Sequence, residues 1–154
     1  MTETNREGEN PENWRLLAEW TVASERGNER QVMERVGEVA QGQPIPKRRL
    51  EQLKTAVAEA TMNAMEHGNK YNLALPVSIQ VLASHHELAV RIRDQGSGKP
   101  IPETETPDLE AKLAELQTPR GWGLFLIKNL VDDMRIMRDD THHTVELIMH
   151  LEGD

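Results

Sequence analysis

Two neighbouring stretches, "PVSIQVLA" (Pro76–Ala83) and "ELAVRIRD" (Glu87–Asp94), alternate apolar and polar residues with only "SHH" between them. Side chains in a strand point to opposite faces in turn, so each stretch predicts a half-buried strand, and the short gap predicts a hairpin. Val77, Ile79 and Val81 form one inward row, and Leu88, Val90 and Ile92 the other. The pattern returns near the C-terminus. "MRIMRDD" and "THHTVELIMHLEG" predict a second hairpin, with Val145, Leu147 and Met149 inward. Two such hairpins demand a sheet with one wet face and one face covered by helices.

The rest of the chain supplies the cover. "RLLAEWTV" alternates too and predicts a strand, with Leu16, Ala18, Trp20 and Val22 on one face. "SERGN" turns the chain into a helix that carries Val32, Val36 and Val39 at helical spacing. A longer helix is expected from Lys47 to His67, with Gly68 as its C-terminal stop. Leu50, Leu53, Val57, Ala60 and Ala64 form its apolar stripe. "DLEAKLAEL" and "LFLIKNLV" read as two further helices. The expectation is an α/β (α+β) two-layer sandwich with a mixed, mainly antiparallel sheet. Residues 1–12 read as a disordered acidic tail and residues 13–154 as a single domain.

Composition removes several classes of function. The net charge of -8 argues against direct nucleic-acid binding and against docking on anionic lipid. There is no cysteine, which excludes disulfides, thiolate chemistry and cysteine zinc sites. The polar start shows no signal-peptide core, and the apolar run "GLFLI" is far short of a membrane span. A cytoplasmic location fits these features. His85–His86 and His142–His143 are adjacent pairs, and neighbours on a strand face opposite sides, so neither pair makes a good chelate.

Three segments carry the candidate chemistry. Glu59, Asn63 and His67 stand four residues apart on the long helix, and Glu59 and Asn63 lie nearly opposite its apolar stripe. Periodicity makes them solvent-facing, as a plain wetted face or as a ligand surface. Asp94 shares the parity of Leu88, Val90 and Ile92, so it points inward and needs a hydrogen-bond donor. Either it caps the turn at Gln95–Gly96, or it accepts a bond from a ligand approaching over Gly96 and Gly98. Gly121 and Gly123 precede a helix whose free N–H groups and dipole suit phosphate, with Arg120 adding charge. The alternative there is an ordinary glycine loop.

In order, Glu-x-x-x-Asn, Asp-x-Gly-x-Gly and Gly-x-Gly resemble the N, G1 and G2 boxes of the GHKL ATP-binding superfamily, whose members share the Bergerat fold. The likeness runs from about Leu16 to Leu151. "AEATMNAMEHG" and "GWGLFLIKNLVDDM" are most similar to the bacterial anti-sigma-factor serine kinases. The resemblance implies ATP and Mg2+ as cofactors. It implies Asn63 as the Mg2+ ligand, Glu59 as general base, and Asp94 as acceptor for the adenine amino group. Gly96 and Gly98 would shape the base pocket. Arg120, Gly121, Trp122, Gly123 and Leu124 would contact the phosphates, and residues 102–120 would form a mobile lid.

The implied function is a serine protein kinase that phosphorylates a STAS-domain anti-anti-sigma partner and binds a sigma factor in alternation, with a homodimer as the implied assembly. The alternative is a non-catalytic, ATP-responsive module that grips a partner. The ATP-binding half of a histidine sensor kinase is disfavoured, because no phosphoacceptor hairpin precedes the first strand. The role of His67 is left open, and the lid carries no lysine cluster beyond Lys99 and Lys112, so charge neutralisation would rest on Mg2+ with Arg120 or Lys128.

Overall fold

The computed structural model describes residues 13–96 and 123–152. Within them the chain runs β1 (Arg15–Val22), α1 (Asn28–Ala40), α2 (Lys47–Asn63), a π-helical turn (Ala64–Gly68), β2 (Val77–Ala83) and β3 (Glu87–Asp94). It continues as α3 (Gly123–Leu130), β4 (Asp133–Arg138) and β5 (His143–His150). The expected tail, the helix at 108–116, the lid, Gly98, Arg120, Gly121 and Trp122 lie outside the described residues.

Five strands form one sheet in the order β1-β2-β3-β5-β4. The two expected hairpins are both present and join through β3 and β5. All four described pairings are antiparallel, so the antiparallel character expected to dominate holds throughout the described sheet. Helices lie over one face. Val32 and Val36 of α1, Leu53 and Val57 of α2, and Ile127 of α3 are fully buried against the inward rows of the sheet. Burial of side chains this size stabilises the fold by roughly 1.5–3 kcal/mol each.

Local deviations from the expected pattern have local causes. Leu16 was expected inward with Trp20, yet it is 52% exposed. A register shift between Leu16 and Ala18 reverses the facing of the strand's first residues, and Leu17 packs on the core instead. Gly27 enters α1 with φ 98°, a conformation that costs glycine little. The open sheet face is polar but not wholly wet. Glu146 is only 5% exposed, because Arg91 lies over it at 2.7 Å and Arg135 at 3.8 Å.

The end of the long helix also differs. Gly68 does not act as a left-handed stop; that conformation falls on Lys70 and Tyr71, with φ 54° and 55°. Before it, the helix loosens into the π turn, where the Asn69 N–H bonds to Ala64 O at 2.9 Å and the Tyr71 N–H to Met65 O at 2.7 Å. Met65 is fully buried within this turn.

Candidate functional site

The site grows from the meeting of the α2 end with the β3 end. Glu59 and Asn63 lie one turn apart on α2, and both are half-buried rather than solvent-facing. The difference follows from layer packing: α1 and α3 both pack on α2, so its outer flanks are not simply open to water. His67 stands on the π turn and is exposed.

The π turn delivers Gly68 against the Asp94 carboxylate. A side-chain carbon at Gly68 would overlap both carboxylate oxygens, so only glycine leaves room for the contact. The next residue, Asn69, is 1% exposed and ties the site together. Its Oδ1 accepts the Gln95 N–H at 2.8 Å, which fixes the chain just after Asp94. Its Nδ2 donates to Ser24 Oγ at 3.0 Å and to Leu75 O at 2.7 Å. One buried amide thus locks the π turn to the β3 end and to the loops before α1 and β2. Nothing in the sequence pattern distinguishes Asn69 from a turn asparagine.

Asp94 points inward, as its parity predicts, and is 4% exposed. The donor it needs is supplied twice. Its Oδ1 accepts the Gly96 N–H at 2.7 Å, which is the turn cap foreseen at this position. The same oxygen faces His143 Nδ1 at 3.1 Å. Burial raises the Asp94 carboxyl above its ordinary value, and the Gly96 N–H and His143 oppose that rise. In the sequence His143 stands out only as half of a poor chelate. Its own parity with Val145, Leu147 and Met149 was the signal that it points inward.

The third segment is only partly described. Gly123 opens α3 rather than preceding it, and Leu124 follows in the first turn. The amides of that turn have no partner within the helix, which is the property a phosphate contact uses. Lys128 lies in the last turn. Among the described residues no group of three histidine or acidic side chains gathers as a metal site, and no helix is long and apolar enough to cross a membrane.

This arrangement offers an inward carboxylate at a strand end beside a helix bearing Glu and Asn. A model of the histidine kinase-like ATPase domain matches residues 22–149. The chain belongs to that family. Among histidine kinase-like ATPase domains, it is 34% identical over 103 residues to an anti-sigma F factor of Anoxybacillus flavithermus, which covers 66% of this chain and 70% of that protein. It is 32% identical over 95 residues to the serine-protein kinase RsbW of Listeria monocytogenes, covering 59% of this chain and 60% of that one. The anti-sigma-kinase likeness seen in the sequence is therefore borne out by named relatives, and a domain of this family is built to use ATP.

Solved structures show the same fold at low identity. The RsbU and RsbW domains of Rv1364c from Mycobacterium tuberculosis superpose with a TM-score of 0.60 at 15% identity, over 88% of this chain and 34% of that one. A chain of the SiaB–SiaC complex from Pseudomonas aeruginosa gives 0.60 at 12% identity, over 88% and 90%.

Proposed function

We propose that this chain is a Mg2+-ATP-dependent serine protein kinase of the anti-sigma type, which phosphorylates a STAS-domain partner and releases or captures a sigma factor by partner switching. One observation carries the reading: the buried Asp94 is held at the end of β3 against the π turn that continues the helix bearing Glu59 and Asn63. In this reading Asp94 accepts the adenine amino group, and Gly96, with Gly98, lets the base approach.

The donor set suits the cofactor. Asn63 offers a neutral amide oxygen, and magnesium takes few protein ligands when phosphates and waters complete its octahedron. Held there, magnesium would supply neutralisation of the phosphate charge. Glu59, one turn away on the same helix, takes the proton of the partner's serine hydroxyl as that oxygen attacks the γ-phosphorus and ADP leaves. Arg120, Gly121, Trp122, Gly123 and Leu124 would hold the phosphates, and of these Gly123 and Leu124 open α3. The cytoplasm, where sigma factors work, is the setting this function needs.

The test mixes the full chain with Mg-ATP and a STAS-domain partner and assays for phosphoserine. Glu59→Gln should abolish transfer while nucleotide affinity stays within about twofold, because a general base contributes to the reaction and not to ground-state binding. Loss of binding together with transfer would remove Glu59 from the role of base. Partner affinity that responds to ATP with no phosphoserine formed would replace the kinase by a binding switch.

A further inference from the structure

We infer that His143 is a positioning residue for base recognition: its ring, bonded to Asp94, aims that carboxylate at an amino group and keeps it an acceptor, so that the pocket selects a 6-amino purine over a 6-oxo purine. The inference rests on the proposed role of Asp94 as the base-binding group.

The geometry is specific. Asp94 and His143 are direct partners in the β3–β5 register, and their exposures are 4% and 3%. His143 Nδ1 lies 3.1 Å from Asp94 Oδ1. The ring is confined, since a side-chain carbon on Gly96 would stand 2.5 Å from Nδ1. Among the described residues, both donors to Asp94, the Gly96 N–H and His143, reach the same oxygen. Two bonds on Oδ1 set the plane of the carboxylate and so the direction of Oδ2, which lies on the Gly68 side.

The chemistry explains why such a clamp matters. An ionised carboxylate accepts hydrogen bonds only, whereas a protonated one also donates. Adenine presents a donor at its 6-position, and hypoxanthine presents an acceptor there. A carboxylate kept ionised therefore binds the first and rejects the second, because mismatched buried polar groups cost most. Burial alone pushes Asp94 the wrong way, toward the protonated form, and His143 works against it. Among the described residues, the groups that face Asp94 are His143 on β5, His142 in the β4–β5 turn and the backbone of Gly68 on the π turn, and Glu66 and His67 stand within that turn. Asn69 and Gln95 beside it carry no charge.

The experiment titrates ADP and inosine 5′-diphosphate calorimetrically, with Mg2+ present, from acid to alkaline pH. It compares the wild type with His143→Leu, His143→Asn and Asp94→Asn, each checked for folding by circular dichroism. The wild type should prefer ADP and lose that preference on acidification. His143→Leu should bind ADP about tenfold more weakly and discriminate less. His143→Asn keeps an N–H donor without the imidazole. It should hold wild-type affinity at alkaline pH but lose it at a higher pH than the wild type on acidification. Asp94→Asn should lose ADP binding altogether.

If Asp94→Asn fails to bind while both His143 variants match the wild type in affinity, selectivity and acid limb, the inference is overturned and the role of Asp94 stands. If Asp94→Asn binds ADP normally, the underlying reading of the pocket falls first. Should His143→Leu not fold, the acid limb of His143→Asn decides: coincidence with the wild type overturns the inference.

Discussion

Gly68 and Asp94 claim adjoining space so tightly that a methyl group on the glycine would overlap the carboxylate. They are the last residue of the π turn and the last residue of β3. The contact sets how closely the helical layer approaches the end of the central strand, and with it the shape of the base pocket proposed above.

Gly68→Ala should therefore destabilise the fold by about 1–3 kcal/mol, the range for forcing extra atoms into a packed site. The cost is overlap and not backbone strain, because Gly68 is not among the residues at positive φ. Urea denaturation gives the stability change. Calorimetry should show ADP affinity falling along with it, and an alanine variant with wild-type stability and binding would contradict the close approach.

Gly37→Ala should do the reverse. Gly37 is buried where α1 meets α2, but the nearest neighbour of an added carbon there would be the Lys54 side chain, at 3.2 Å from its Cδ. That side chain is long and can shift by a few tenths of an ångström. Removing an internal helix glycine gains up to about 1 kcal/mol. A rise in Tm of roughly 2–4 °C is expected, and a fall would show that Lys54 cannot yield.

Thr61→Val should also stabilise. Thr61 is fully buried on α2, and its Oγ1 has no hydrogen-bond partner among the described residues. Valine has nearly the same shape and removes a polar atom that costs about 1–3 kcal/mol to bury unpaired. Thermal denaturation with a Tm below the wild type would show that the hydroxyl is satisfied in solution.

Asp132 should govern part of the acid stability. Burial pulls its carboxyl upward, but the His150 N–H at 2.7 Å and Arg49 at 2.6 Å outweigh that, and the net shift is downward from 3.8. A lowered folded value means that the contribution is present above 3.8 and is lost as pH falls through the folded value. Asp132→Asn should cost about 1 kcal/mol at pH near 7, given its exposure, with the difference closing in strong acid. Paired urea curves at the two pH extremes measure this. Asp94 runs the other way: its carboxyl is raised, so its ionised form opposes folding at neutral pH and that penalty fades as pH falls toward 3.8.

What the amino-acid order determined by itself was everything periodic. Alternation in Val77–Val81, Leu88–Ile92 and Val145–Met149 dictated the hairpins and their inward rows, because strand side chains repeat every two residues. Helical spacing dictated the buried side of α2, and parity alone turned Asp94 inward. What only the tertiary structure decided was everything that depends on which distant segments touch. That β3 lies beside β5, and so brings His143 to Asp94, is a matter of strand order across a separation of 49 positions. The bulge that exposes Leu16, the π turn that presses Gly68 on Asp94, and the span of bonds around Asn69 arise in the same way. Each satisfies packing or a buried polar group between elements, and no local pattern of residues encodes a partner that far along the chain.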